Sequence, residues 1–307
     1  MLKKILYLLL ILFLSSSYSN STIQIKYKIG DEIITNFDIL DEKKYLIFLR
    51  PNLSKLPEEE ILKISKNSLI REIIKKRELD KVFKNLNETK FLKEIKKNLF
   101  SYKNVKNESD FVKLLKKDNI EYQKIIQKMK YEGLWNELIL VKYGSLIKIN
   151  KKTLKEKLKN KKLKNKKFEY KLYEILFEIE NSNELNIKYS EIMKYIKLNG
   201  FRAAATKYSI SNSSNKGGDI GWVKETYLSE DLSKLLNKME EGQITKPIKY
   251  PNGFLLLKIN KKKEMKQILD EKKALNEIVN FEKNRQLTQF SLLLFKKLKQ
   301  NTIINEY

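Results

Sequence analysis

A short glycine-rich stretch in the second half carries the clearest chemical signal in this sequence. Residues 217–222 read GGDIGW. This spacing differs from the G-x-G-x-x-G turn of dinucleotide-binding proteins, and no long helical pattern follows it directly. No Gly-Lys-Ser or Gly-Lys-Thr follows either, so a nucleotide phosphate loop is excluded as well. The stretch therefore predicts a tight loop rather than a nucleotide site.

The amino-acid composition removes most hydrolytic chemistry. The 307 residues include no Cys and no His. This excludes disulfides, thiol nucleophiles, zinc sites built from Cys or His, and Ser-His-Asp triads. Carboxylate, Lys, Ser, Thr and Tyr chemistry remains, as does binding without chemistry. Nothing in the sequence indicates a metal or a nucleotide, so we expect no cofactor.

The order of motifs around the glycine-rich stretch is more specific than the stretch itself. Tyr208-Ser209 precedes it, a Gly-Gln-Ile segment with a following Pro-Ile comes after it, and a Gly-Phe-Leu-Leu-Leu-Lys segment begins at Gly253. Over about residues 169 to 262, this order resembles the parvulin family of peptidyl-prolyl isomerases. We expect Trp222 to anchor the core of this parvulin-like module. The resemblance assigns its structural motif to Gly217, Gly218, Asp219, Gly221 and Trp222.

Three polar positions of the parvulin pocket carry different residues here. Relative to the family, Glu174 stands at the first pocket histidine, Leu255 at the second, and Ser211 at the cysteine or aspartate of the central loop. The resemblance implies an apolar floor for a proline pocket. The residues at those positions, which could equally belong to the core of the module, are Ile220, Leu228 and Leu232.

Prolyl isomerisation rotates a partial double bond and neither makes nor breaks a bond. A dry apolar pocket that fits the twisted imide can therefore lower the barrier without histidines. Leu255, however, cannot orient a substrate by hydrogen bonding, and a buried Glu174 is costly unless it is paired or protonated. We expect weak or absent isomerase activity and assign no catalytic residue.

The first 21 residues have the pattern of a secretory signal peptide. Lys3 and Lys4 precede a ten-residue apolar run that ends at Leu14. Ten helical residues are too short for the roughly 30 Å hydrocarbon core of a bilayer. We expect cleavage after Ser19 or Ser21 and a chain without an integral membrane segment thereafter. A retained N-terminal anchor is the alternative.

The first half of the mature chain is predicted to be helical after two short strands. Alternation from Ile23 to Ile34 predicts the strands, and Thr35 or Asn36 is expected to cap the next helix. Pro57 begins a long helix with glutamates in its first turn. Further amphipathic helices are predicted near residues 88–100, 109–118 and 121–142.

A basic block separates the two halves. Residues 148–167 contain eleven Lys and one acid, Glu156, and like charges repel each other. We predict a domain boundary near residues 160–168. From Glu264 a helical pattern runs to about Gln300, followed by a short strand. We expect this helix to complete the core of the first domain, through Leu275, Ile278, Leu293 and Leu294.

The formal net charge of +26 invites a nucleic-acid interpretation, which we do not favour. Of the 64 cationic residues 59 are Lys, whereas base edges and planar phosphate contacts favour the Arg fork. Most of the excess is therefore interpreted as solvated surface charge. A basic adaptor that binds an anionic surface remains the alternative.

Together these patterns predict an α+β chain that resembles the SurA-type periplasmic chaperones. The N-terminal part of the resemblance rests on the exported strand pair, Leu56-Pro57-Glu58 with the helix through Glu72, and residues 111–140. It implies a periplasmic chaperone whose clients are unfolded polypeptides, with outer-membrane proteins expected among them; an active isomerase is the alternative. The predicted domains are a signal peptide (1–21), a helical chaperone domain (22–165), the parvulin-like module (169–262) and a C-terminal segment packing on the first domain (264–307).

Overall fold

The computed structural model describes residues 22–83, 89–162, 167–179, 181–251, 253–265 and 271–307. The predicted signal peptide and both cleavage sites lie outside these residues. Helices and two small antiparallel sheets make up the described chain, as the predicted α+β class requires. Among the described helices, none combines the length and the apolar character needed to cross a membrane.

The first half begins with a strand pair and continues as a series of helices. Thr35 caps the first helix: its hydroxyl accepts a hydrogen bond from the Asp38 amide, and the Asp38 carboxylate accepts one from the Thr35 amide. This capping box fixes the start of the helix where the sequence predicts it. The elements are β1 (Ile25–Ile29), β2 (Glu32–Thr35), α1 (Asn36–Leu49), α2 (Glu58–Val82), α3 (Thr89–Tyr102), α4 (Glu108–Lys117), α5 (Tyr122–Tyr143) and α6 (Lys151–Lys162).

The second half forms an antiparallel sheet of strand order β4-β3-β6-β5 with helices beside it. Gly200, whose φ of +82° is outside the helical range, separates two of these helices. The elements are β3 (Phe168–Phe177), α7 (Leu185–Asn199), α8 (Phe201–Tyr208), β4 (Asp219–Lys224), α9 (Glu230–Asn237), β5 (Ile248–Tyr250) and β6 (Gly253–Glu264).

The chain then returns to its beginning. Helix α10 (Glu271–Gln300) is followed by β7 (Ile304–Glu306), which pairs antiparallel with β1 and completes a sheet of order β2-β1-β7. Glu264, predicted as the first residue of the C-terminal helix, instead ends β6. This strand pairing joins residues almost 280 positions apart, since Tyr27 lies opposite Glu306. The Tyr27 hydroxyl also donates a hydrogen bond to the Glu306 carboxylate.

Helix α10 packs on α5, on α6 and on the sheet of the second half instead of on one partner. Leu294 contacts the cluster around Trp135, whereas Ile278 packs with Leu158 of the basic helix α6. Leu293, predicted to be buried, is 51% exposed, and Leu292 is buried in its place. The prediction of a single apolar face was wrong because the surface that covers α10 changes along the helix. Within the basic block, α6 docks on α10 by Leu154 and Leu158.

One apolar cluster crosses from the first half into the second. Leu53, Leu56, Ile61 and Ile64 pack together with buried residues of β3, α7, α8 and β6. An ion pair between Glu60 and Lys207 lies beside this cluster. The helical side of the parvulin-like module is therefore packed against the first half of the chain.

Candidate functional site

The strands β3 and β6 bring the two predicted histidine positions to one face of the sheet. Glu174 pairs with Leu257, and Leu176 pairs with Leu255. Because alternate residues of a strand point to the same side, Glu174, Leu176, Leu255 and Leu257 share this face. We call it the pocket face, since it is where the parvulin resemblance places the proline pocket.

Glu174 is held by serines rather than by a cation. Its Oε1 atom accepts hydrogen bonds from the Ser211 hydroxyl at 2.6 Å and from the Ser213 hydroxyl at 2.8 Å. Burial raises the pKa of the Glu174 carboxyl, and the two hydroxyl donors oppose that shift. The structure thus joins two predicted positions, Glu174 and Ser211. Ser213 was not predicted, although its spacing of two from Ser211 places both hydroxyls near one acceptor.

Gly218 lets the loop between α8 and β4, residues 209–218, approach β3. We call this segment the central loop. The Glu174 amide donates a 2.8 Å hydrogen bond to the Gly218 carbonyl. A Cβ atom at residue 218 would lie 2.4 Å from the Glu174 carbonyl oxygen, and the backbone there has a φ of +80°. Only glycine tolerates both conditions. The adjacent Asp219 accepts a hydrogen bond from the Gly221 amide and pairs with Lys171 at 2.8 Å, which holds the turn into β4.

Of the three apolar positions expected in the pocket floor, Leu228 and Leu232 meet at one core cluster, and Ile220 is exposed. Leu228 is 5% exposed and packs in a core cluster with Tyr170 and Leu236. Ile220 is 37% exposed on the edge strand β4. Leu232 is partly buried and contacts both the core cluster and the residues of the pocket face.

Trp222 does not anchor the core of the module, so that prediction was wrong. The side chain is 43% exposed and lies under the ammonium group of Lys263, 4.1 Å from the ring centroid. Its neighbour Val223 is buried instead. Successive residues of a strand point to opposite faces, and on the edge strand β4 the core side belongs to Val223.

The C-terminal helix covers the pocket face. Leu292 packs with Leu176, Leu255 and Leu257, and all four side chains are less than 10% exposed. Ser291 fastens the helix there: its hydroxyl accepts hydrogen bonds from the Trp135 indole at 2.8 Å and from the Asn212 amide at 3.1 Å. Leu255, at the second histidine position, is thus part of a packed interior. Leu292 was missed because nothing in its local sequence indicates this partner.

Removing the charge of Glu174 should stabilise the protein in a pH-dependent way. The carboxyl pKa is higher in the folded protein than in the unfolded chain, where it is about 4.3. As the pH rises from the unfolded-state pKa through the folded-state pKa, ionisation of Glu174 therefore destabilises the fold. Glu174→Gln keeps an acceptor for both serines and cannot ionise. We expect this variant to raise the free energy of unfolding above that pH interval and to leave it nearly unchanged below it.

The measurement is chemical denaturation followed by circular dichroism at about pH 4 and about pH 8. Glu137→Gln removes an exposed carboxyl from α5 and serves as the control. Equal effects of Glu174→Gln at the two pH values would contradict the assignment of a raised pKa.

A concave site, separate from the pocket face, lies between the helices of the first half and the central loop of the module. It has a volume of about 670 Å³, and we call it the central cleft. Tyr45, Leu49, Leu99, Tyr102 and Met129 supply apolar lining. From the module, the cleft is lined by Asn212, Ser213, Asn215, Lys216 and Asp219. Ser213 therefore belongs both to the cleft wall and to the Glu174 hydrogen-bond network.

Charged residues of α1, α2 and α5 form compact ion pairs along the cleft. Lys75, which is 3% exposed, lies 3.1 Å from the Glu132 carboxylate. Lys128 contacts both Glu42, at 2.8 Å, and Glu72. Sequence analysis did not single out these residues, because Lys and Glu recur along every helix and only the packing of three helices brings them together.

Comparison with known families identifies the module. Residues 172–261 match the rotamase family, described as the PPIC-type PPIASE domain. The second half of this chain contains a parvulin-type domain. The predicted limits of 169 and 262 enclose the match within a few residues at each end. The pocket positions Glu174, Ser211 and Leu255 all lie inside it.

The chain is also similar to curated bacterial chaperones over short segments. It is 41% identical over 63 residues to Chaperone SurA of Pseudomonas putida, which is 20% of this chain and 15% of the relative. It is 36% identical over 93 residues to the Periplasmic chaperone PpiD of Buchnera aphidicola, which is 30% of this chain and 14% of the relative. The chain thus spans about a seventh of the length of these relatives.

Solved structures give longer but more distant likenesses. One is a chain of Campylobacter jejuni, whose virulence factor PEB4 and periplasmic protein Cj1289 are described as two structurally related SurA-like chaperones. It is 18% identical, covers 92% of this chain and 98% of its own, and has a TM-score of 0.36. A PpiC-type isomerase domain is 27% identical, covers 33% of this chain and 96% of its own, and has a TM-score of 0.29.

Proposed function

We propose that this protein is an exported, periplasmic chaperone of the SurA type that holds unfolded polypeptides, including outer-membrane proteins, in its central cleft. The division into a helical domain of residues 22–165, an inserted parvulin-type domain and a returning C-terminal segment is part of the proposal. The observation that carries it is the cleft itself, which combines apolar side chains with hydrogen-bonding groups from both halves of the chain.

An unfolded segment presents alternating side chains and unpaired backbone groups. Tyr102, Leu49 and Met129 offer apolar contacts on one side of the cleft, and the amides of Asn212 and Asn215 offer donors and acceptors on the other. A volume of about 670 Å³ is within the size range of ligand sites and accommodates a few residues of an extended chain. Such a mixture favours binding that does not depend on one particular sequence.

The pocket face supports weak or absent isomerase activity. Leu292 packs where a prolyl substrate would have to approach Leu255, and Glu174 is already saturated at Oε1 by two serines. The match of residues 172–261 to the isomerase domain family favours the alternative of a working enzyme. Acceleration of cis–trans exchange in a prolyl peptide by the full chain would support that alternative.

Chaperone activity should depend on the cleft lining. The assay is suppression of aggregation of a denatured outer-membrane protein diluted into buffer with the full chain. Tyr102 is 53% exposed and lines the cleft, so Tyr102→Ala should weaken suppression about threefold or more while leaving the melting temperature nearly unchanged.

Tyr307→Ala is the matched control, because Tyr307 is 67% exposed beside β7 and is not among the cleft residues. It should suppress aggregation as well as the unmodified chain. If the unmodified chain fails to suppress aggregation, the proposed function is wrong. If the two tyrosine variants suppress aggregation equally well, the binding surface lies outside the central cleft.

A further inference from the structure

Two arginines, Arg50 and Arg71, meet at the module end of the central cleft. The Nη1 group of Arg50 donates to the Ser214 carbonyl at 2.9 Å and to the Thr206 hydroxyl at 2.5 Å. The Nη1 group of Arg71 donates to the Ser214 hydroxyl at 2.9 Å. Both side chains line the cleft. Because they share Ser214, their guanidinium groups lie on one small part of the wall.

These arginines lack the carboxylate partners that the lysines of the cleft possess. Lys75 and Lys128 are paired with Glu132, Glu42 and Glu72. Within the described residues, no carboxylate oxygen lies within 4.0 Å of Arg50 or Arg71, and their hydrogen-bond acceptors are neutral.

Burial makes this arrangement costly unless an anion binds. Arg50 is only 6% exposed, and its buried Nε has no hydrogen-bond partner among the described residues. Burial lowers the pKa of Arg50 to about 10 and also lowers the pKa of Arg71. Both groups nevertheless stay charged at neutral pH. The charges of Glu42 and Glu132 favour the ionised forms of Arg50 and Arg71, respectively, but neither carboxylate contacts a guanidinium group directly. A buried charge without a direct counter-charge is expensive, and a guanidinium fork fits a carboxylate in two parallel hydrogen bonds.

We propose that Arg50 and Arg71 form a carboxylate-binding site, which holds either the free C-terminus or an acidic side chain of the polypeptide in the central cleft. The inference rests on the proposed function and adds a chemical preference to it. The site selects clients by one negative charge placed at the module end of the cleft, while the apolar lining accepts the neighbouring residues. A merely structural clamp on Ser214 would give no preference among ligands.

The test uses three peptides of one sequence, twelve residues of alternating Val and Ser with an uncharged fluorophore coupled to the N-terminus. One ends in a free carboxylate, one in an amide, and one in an amide with a central Ser replaced by Glu. Binding to the full chain is measured by fluorescence anisotropy. We expect at least one carboxylate-bearing peptide to bind about tenfold more tightly than the neutral amide. If only the peptide with the free terminus binds more tightly, the ligand is a chain end. If both carboxylate-bearing peptides gain affinity equally, the site accepts any carboxylate of the polypeptide.

Arg71→Gln should remove this preference, and Arg71→Lys should restore only part of it because the fork is lost. Lys63→Gln removes the same charge from an exposed position of α2 and should retain the full preference. Should the arginine variants fail to fold, the three-peptide comparison on the unmodified chain still tests whether the cleft prefers a carboxylate.

Equal affinity of the unmodified chain for all three peptides would overturn the carboxylate site, as would a preference that survives Arg71→Gln. Either result, obtained with intact aggregation suppression, leaves the chaperone proposal standing. Failure of every peptide to bind, together with a lack of aggregation suppression, would overturn both.

Discussion

Trp135→Ala should lower the free energy of unfolding of the chain by about 3 to 5 kcal/mol. Trp135 is fully buried in the cluster that joins α2, α5 and α10, beside Leu79 and Leu294. The substitution leaves a large cavity there and also removes the indole donor to Ser291. Because Ser291 is adjacent to Leu292, the loss should also loosen the helix over the pocket face.

Denaturant unfolding followed by far-ultraviolet circular dichroism measures this effect without relying on tryptophan fluorescence. Trp222→Ala is the matched control, since it removes the other of the two tryptophans from a position that is 43% exposed. It should cost less than about 1 kcal/mol. Similar losses for the two variants would mean that the cluster around Trp135 does not hold α10 on the helices of the first half.

Gly218→Ala should be nearly as damaging for a different reason. A Cβ at residue 218 meets the Glu174 carbonyl oxygen at 2.4 Å and the Ala205 side chain at 2.9 Å. The positive φ alone costs about 1 to 2 kcal/mol for an L-residue, and relief of the backbone contact must move β3 or the central loop. We expect a total loss of about 3 kcal/mol or more, with disruption of the Glu174 hydrogen bonds.

Gly221→Ala separates these two contributions. Gly221 has a φ of +82°, close to the +80° of Gly218, but a Cβ there would meet nothing within 4 Å. It should therefore cost only the conformational part, about 1 to 2 kcal/mol. The comparison uses thermal and denaturant unfolding of both variants. Equal losses would show that the close approach to β3 is relieved without cost.

The sequence by itself determined the local elements and the kind of module. The Thr35 capping box starts α1 at the predicted residue, because its hydrogen bonds join groups within one turn. The motif order from Tyr208 to Gly253 identified a parvulin-type domain, since its glycines serve turns whose backbone geometry depends on near neighbours. Glu174 and Ser211 were recognised as substituted pocket positions by the same means.

Tertiary structure alone decided what surrounds those positions. Leu292 covers the pocket face and Ser291 links Trp135 to Asn212, although Leu293 has the same local pattern and remains exposed. Arg50 and Arg71 meet at Ser214 across more than 140 residues of chain. An amphipathic helix specifies that an apolar stripe will be buried, but the partner depends on the packing of distant segments. Contacts of that range leave no periodic trace in the sequence, so neither the covered pocket face nor the arginine pair could be read from it.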